Sequence, residues 1–127
     1  MLRYFKLWLS IGWLMVFLLC YFSLISDPPE IKFDLKYFDK VRHFIAYFIL
    51  MFWFSQLYKT SKSRLFYFVF FIVMGVILEI LQGMGGVRYF EYNDMLANSL
   101  GVLFAWKVTQ GKLNNVLFSV EKVLIKI

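Results

Sequence analysis

The stretch LWLSIGWLMVFLLCYFSLI, from Leu7 to Ile25, runs nineteen positions without a charge. At 1.5 Å per residue this is about 28 Å of helix, close to the hydrocarbon thickness of a bilayer, so it reads as a spanning helix. Arg3 and Lys6 ahead of it resemble the basic flank of a signal peptide, but the apolar stretch is long for one. Ser23-Leu24-Ile25-Ser26 also lacks the small-x-small cleavage pattern. The rest of the chain has the same character: of 127 residues, 61% are hydrophobic, 22% aromatic and only 17% charged, with a mean hydropathy of +0.69. A water-soluble domain this small cannot bury so much apolar surface. A disordered chain, a repeat array, a disulfide scaffold (there is one Cys) and a soluble enzyme are excluded. The net charge of +6 comes from basic residues set between apolar runs rather than in one stripe, which argues for topology signals and against nucleic acid.

Three further apolar runs follow. Pro28-Pro29 stops the first helix, and Asp27 to Lys40 form a connector whose Phe33, Leu35, Tyr37 and Phe38 suit an interface. Val41 to Tyr58 and Leu65 to Leu81 are separated only by Lys59-Thr60-Ser61-Lys62-Ser63-Arg64, short enough to force an antiparallel hairpin. Gly83, Gly85 and Gly86 read as loop. Met95 to Val108 is fourteen residues, about 21 Å, and spans only if its helix begins near Tyr92 and carries polar side chains inward. The expected fold is all-α: a four-helix transmembrane domain over 1–110 followed by an amphipathic tail over 111–127.

Counting Lys and Arg sets the orientation. With the N-terminus inside, the inner segments hold Arg3, Lys6, Lys59, Lys62, Arg64, Lys107, Lys112, Lys122 and Lys126, and the outer ones Lys32, Lys36, Lys40, Arg42 and Arg88. Nine against five predicts both termini on the cytoplasmic side. In the tail, Leu113, Val116, Leu117, Val120, Val123, Leu124 and Ile127 share one helical face, which predicts an interfacial helix along the inner leaflet.

Ionisable groups at membrane depth are costly and need a partner or a purpose. Here they come in helical pairs: Asp39 and His43 four apart, Glu79 and Gln82 three apart, Asp94 and Asn98 four apart, with Arg88 between the last two pairs. The topology brings all of them to the same membrane surface, although the basic-residue count used none of these pairs. Ala97, Gly101 and Ala105 form a small-residue ridge on the fourth helix, expected to seat the third helix through Gly75. Taken alone, Asp39 and Asp94 read as caps and Asn98 as interhelical glue. Glu79 is harder to dismiss, because it stands one turn inside an apolar run near the negative end of its helix dipole and needs Arg88 or His43 to answer it. One His with three carboxylates is a weak zinc signal; a hard divalent cation on Asp39, Glu79 and Asp94 is a minority alternative, and no metal or cofactor is assigned. Cys20, the methionines and the aromatic runs read as packing or lipid-facing groups. No phosphate loop, nucleophile elbow, Cys pair or dinucleotide fingerprint is present.

Asp39-Lys40-x-x-His43-Phe44, Glu79-x-x-Gln82, Arg88 and Asp94-x-x-x-Asn98-x-x-Gly101, in that order over residues 39 to 105, resemble the VanZ-like family of small bacterial membrane proteins. That family is named for a teicoplanin resistance protein. Ala105 and Val87 stand where the family usually has glycine. The resemblance implies a multi-pass protein of the bacterial cytoplasmic membrane, linked to the cell envelope and in some members to glycopeptide resistance. The expected partners are membrane lipids, a lipid-linked envelope precursor or another membrane protein. Three functions compete: an outer-face site for a polar headgroup; a membrane enzyme with His43 as base oriented by Asp39, Glu79 as acid and Arg88 as anion clamp; and a structural subunit whose polar cluster locks the helices. A site is favoured over a lock, since locks seldom need His, Arg and three carboxylates at one surface.

Overall fold

A computed structural model describes residues 2–25, 38–85 and 91–127; the connector around Phe33 and the segment holding Arg88 lie outside the described residues. Within these, the chain is all helical: α1 (Phe5–Leu24), α2 (Phe38–Leu57), α3 (Ser61–Met84), α4 (Tyr92–Val108) and α5 (Val116–Lys126). Local chemistry sets several of the ends. The Thr60 hydroxyl accepts from the Ser63 amide at 3.1 Å, capping α3. That helix then continues through Gly83 to Met84 instead of breaking at the first glycine. Glu91 is extended and α4 begins at Tyr92, where the length argument required it.

Successive helices run in opposite directions. Trp8 and Phe5 near the start of α1 meet Trp53 and Tyr58 near the end of α2, while the Gln82 amide near the end of α3 donates to the Ser23 carbonyl of α1 at 2.8 Å. One end of the bundle therefore gathers the starts of α2 and α4 and the ends of α1 and α3. Tyr47, Leu50, Met51 and Phe54 of α2 form the centre of the core, joined by Val16, Phe71, Val102 and Ala105.

Two of the four expected spans, α1 and α3, are long and apolar enough to cross a membrane. The other two fall short for identifiable reasons: α2 carries Asp39, Lys40, Arg42 and His43 in its first turns, and α4 has seventeen residues and includes Asn93, Asp94 and Asn98. Leu14 and Phe17 of α1, Ile45 of α2, Phe66 and Val69 of α3 and Leu96 and Phe104 of α4 face outward, whereas Gln56, Arg64, Glu79, Asp94, Asn98 and Thr109 are buried. Buried polar side chains thus accompany an apolar core while large apolar side chains face outward, a combination uncommon for a domain in water.

The ridge on α4 meets a different neighbour from the one expected. A Cβ on Gly101 would collide with the Phe44 carbonyl of α2 and lie 3.1 Å from the Phe48 nitrogen, so Gly101 seats α2. Gly75 of α3 does meet α4, as expected, but at Asn98: an added Cβ would lie 3.4 Å from the Asn98 Cβ and 3.2 Å from the Tyr47 ring of α2. Glycine is required at 101 because backbone, unlike a side-chain tip, cannot swing away.

The opposite end is closed by Arg64, expected in a connector but buried in the first turn of α3. Its guanidinium donates to the carbonyls of Ser55 (2.6 Å), Tyr58 (3.0 Å) and Thr109 (3.1 Å) and to the Asn114 side chain (2.6 Å). These carbonyls at the ends of α2 and α4 lack intrahelical donors. The tail, expected along a leaflet from Leu113, instead begins its helix at Val116 and docks on the bundle. Gln56 donates to Leu113 O and accepts from the Leu117 amide. Leu117 is buried, while Leu113, Val120, Val123, Leu124 and Ile127 remain outward. Glu121, 3% exposed, accepts from the Arg3 and Tyr4 amides and from the Trp8 indole at 2.6, 3.0 and 2.6 Å. Burial opposes the charge of this carboxylate, but the Trp8 indole, the two amides and the N-terminal amino group outweigh it and hold the group below the usual range.

Two predictions follow from this packing. Gly101→Ala should cost roughly 1–3 kcal/mol of stability through overpacking, read by thermal unfolding in detergent, while Gly111→Ala, with nothing within 4 Å, should change little. A carboxylate depressed in the folded state stabilises above its unfolded value, and that contribution is lost as pH falls through the lower folded value. Amides in 116–126 should therefore be protected from hydrogen exchange at neutral pH and lose protection, relative to intrinsic exchange, as pH falls below the usual carboxylate range, and Glu121→Gln should lack the protection already at neutral pH.

Candidate functional site

At the end opposite Arg64, two helix beginnings supply the chemistry. Asp39 and His43 lie one turn apart on α2, and Lys40 projects about 100° round the axis toward α4. Asp94 and Asn98, 6% and 3% exposed, lie one turn apart on the inward face of α4. The Gly101 contact brings the two faces together.

Lys40 Nζ sits among three carboxylates, paired with Asp94 and Glu91 and 3.4 Å from Asp39 Oδ2. Arg42 donates to the other Asp39 oxygen at 2.6 Å. His43 Nε2 stands 3.7 Å from both Asp39 Oδ2 and Asp94 Oδ2, too far for a hydrogen bond to either. Its Nδ1 is 3.1 Å from Asn98 Oδ1. An amide oxygen can only accept, so Nδ1 carries the hydrogen and donates it. Asn98, rather than Asp39, orients the imidazole.

Glu79, 1% exposed, accepts from the Glu91 amide at 2.9 Å. This places its carboxylate at the positive end of the α4 dipole, a favourable position the sequence reading did not foresee. Gln82 turns instead to Ser23 of α1. Of the expected set, Asp39, His43, Asp94 and Asn98 thus converge, Glu79 joins through the Glu91 amide and the neighbouring Asp94 carboxyl, and Gln82 ties helices together; Arg88 lies outside the described residues. Lys40, Glu91 and Arg42 were missed as site residues. A signal for Lys40 was available: a lysine in the first turn of a largely apolar helix faces the positive end of the dipole and needs a carboxylate to hold it.

Beside the cluster an open cleft of about 980 Å³ runs along the start of α4, with Lys40 as its contribution from α2. Lys40, Glu91 and Asn93 form its polar end, and Leu96, Ala97 and Leu100 line the apolar wall that continues along α4. No protein-family model, no curated protein and no solved structure matches the chain. The reading of the site rests on its own chemistry.

The cluster makes a quantitative prediction. Lys40→Met leaves buried Asp94 without its cation and should cost about 1–3 kcal/mol in thermal unfolding. Lys40→Met with Asp94→Asn should recover part of that loss, giving a coupling above about 0.5 kcal/mol in a double-mutant cycle. Additive losses would show that the pair does not act as one unit.

Proposed function

We propose that the chain is a VanZ-like protein of the bacterial cytoplasmic membrane, crossing it four times with both termini inside, and that the cleft beside Lys40 holds a lipid by its polar headgroup. The observation that carries this reading is the join between a charged cluster and an apolar wall within one cleft. A headgroup finds donors on Lys40 and Asn93, and the acyl chain leaving it meets Leu96 and Leu100. A soluble polar metabolite would gain nothing from that wall. The outward-facing apolar residues of all four long helices support the four crossings, since lipid is the solvent in which they cost nothing. The charge count supports the orientation and puts the cluster on the outer surface. The resemblance to the VanZ-like family points to the cell envelope as the source of the lipid, and to a role in how much glycopeptide target is exposed there.

Native mass spectrometry of the protein extracted with its lipids tests this. A phosphate-bearing lipid should remain bound at about one per chain and be lost at least tenfold from Leu96→Trp, which fills the cleft, and from Lys40→Met. Equal lipid retention by Leu96→Trp and the unaltered protein would defeat the cleft reading. Reporters active only in the cytoplasm should work when fused at Thr60 or after Ile127, and fail at Phe33. Activity at Phe33 would defeat the orientation.

A further inference from the structure

The lipid reading uses Lys40 and the wall of α4 and leaves the inward face of His43 without a role. There the lone pairs are arranged in an unusual way. With the hydrogen on Nδ1 given to Asn98, a neutral imidazole presents a bare lone pair at Nε2. That lone pair faces two carboxylate oxygens, Asp39 Oδ2 and Asp94 Oδ2, each 3.7 Å away. Asp39, His43 and Asp94 can each offer one ligand atom such that the three lie within 4.8 Å of one another. Electron-rich atoms converging in this way repel one another, and the neighbouring cation, Lys40, meets Asp94 through its other oxygen, Oδ1, and Asp39 Oδ2 only at 3.4 Å. A proton on Nε2 would be poorly shared across 3.7 Å. A metal ion spans that separation well: two bonds of about 2.1 Å reach it at an angle near 120°.

We propose that His43 Nε2, Asp39 Oδ2 and Asp94 Oδ2 form a binding site for one divalent transition-metal ion. The set differs from the all-carboxylate alternative weighed from sequence, since Glu79 is turned to the Glu91 amide and the imidazole takes its place. Four features agree with it. Asp39 and His43, one turn apart on α2, form a two-point chelate, and α4 supplies the third ligand. The Nδ1–H donated to the Asn98 oxygen is the outer-shell bond that fixes a metal-ligating histidine. Asp94 is buried, so its ligand oxygen is already stripped of most of its water. The donor set of one imidazole and two carboxylates suits ions of the Mn²⁺ to Zn²⁺ class better than Ca²⁺ or Mg²⁺, which prefer oxygen alone. Lys40 binds the same two carboxylates, through Asp94 Oδ1 and Asp39 Oδ2, and so acts as an internal competitor. The metal site does not depend on the lipid reading of the cleft.

The test uses the full chain in nanodiscs of neutral phospholipid, stripped with chelator and titrated with Mn²⁺, Zn²⁺ and Mg²⁺ by calorimetry. The expected result is one saturable equivalent of Zn²⁺ or Mn²⁺ and at least tenfold weaker Mg²⁺. His43→Ala and Asp94→Asn should each weaken Zn²⁺ at least tenfold, Asn98→Ala by about 10–100-fold, and Lys40→Met should tighten it. Cu²⁺ loaded into the unaltered protein should show electron paramagnetic coupling to a single imidazole nitrogen, which reports ligation even if a variant fails to fold. No saturable binding, no nitrogen coupling, or unchanged Zn²⁺ affinity in a folded His43→Ala protein would each overturn the site. Since the nanodiscs contain no envelope lipid, failure here leaves the cleft experiment unaffected, and the reverse holds.

Discussion

The polar end of the bundle depends on one close approach, the α4 backbone at Gly101 lying against the Phe44 carbonyl of α2. Asn98 stands three residues before Gly101, just under a turn, and His43 immediately precedes Phe44. The contact that sets the interhelix spacing therefore also sets the 3.1 Å between imidazole and amide. Any side chain at 101 would push apart the two surfaces that present Asp39, Lys40 and His43 on one side and Asp94 and Asn98 on the other. Packing and chemistry are the same constraint here, which is why a glycine with no functional group matters as much as the charged residues around it.

The two ends of the bundle are fastened by opposite means. At one, a guanidinium serves carbonyl oxygens that the ends of α2 and α4 leave unpaired; at the other, an ammonium serves carboxylates on the beginnings of the same helices. Arginine suits the first task because its rigid fork meets several acceptors at once, whereas lysine offers a compact charge around which three carboxylates can gather. The carbonyl end has little freedom to change partners. The carboxylate end has charges of both signs beside a cleft, and that is where a ligand can exchange contacts.

Much of the architecture was legible because it rests on local patterns. The uncharged run in α1, the short hairpin connector after α2 and the need for α4 to begin near Tyr92 are properties of neighbouring residues, and the structure shows each of them. The i,i+4 pairs Asp39/His43 and Asp94/Asn98 were legible for the same reason. What was not legible depends on which helices touch. Nothing local distinguishes a ridge that seats α2 from one that seats α3, and the expectation chose the wrong partner for Gly101. Lys40 and Arg64 read as orientation charges because a basic residue at a helix end is ordinarily that, and it takes partners more than forty residues away, Glu91 and Asp94 for one and Thr109 and Asn114 for the other, to turn them into clasps between helices. The tail misled through its clean amphipathic spacing: Leu117 and Glu121, adjacent turns of one face, are claimed by Gln56 and by the start of α1 rather than left to a surface.

The cluster also has an order of manufacture. His43 and Asn98 are 55 residues apart, and Lys40 and Asp94 are 54 apart. A chain made from its N-terminus presents Asp39, Lys40 and His43 long before their α4 partners exist, and until then the charges at the start of α2 have only one another, Asp39 with Arg42 and Lys40. The arrival of α4 closes the core at Val102 and Ala105, gives Lys40 its carboxylates and gives His43 its amide in one event. The fourth helix thus acts as the keystone, and a chain cut short before Tyr92 would retain its two most apolar helices yet lack Asp94 and Asn98.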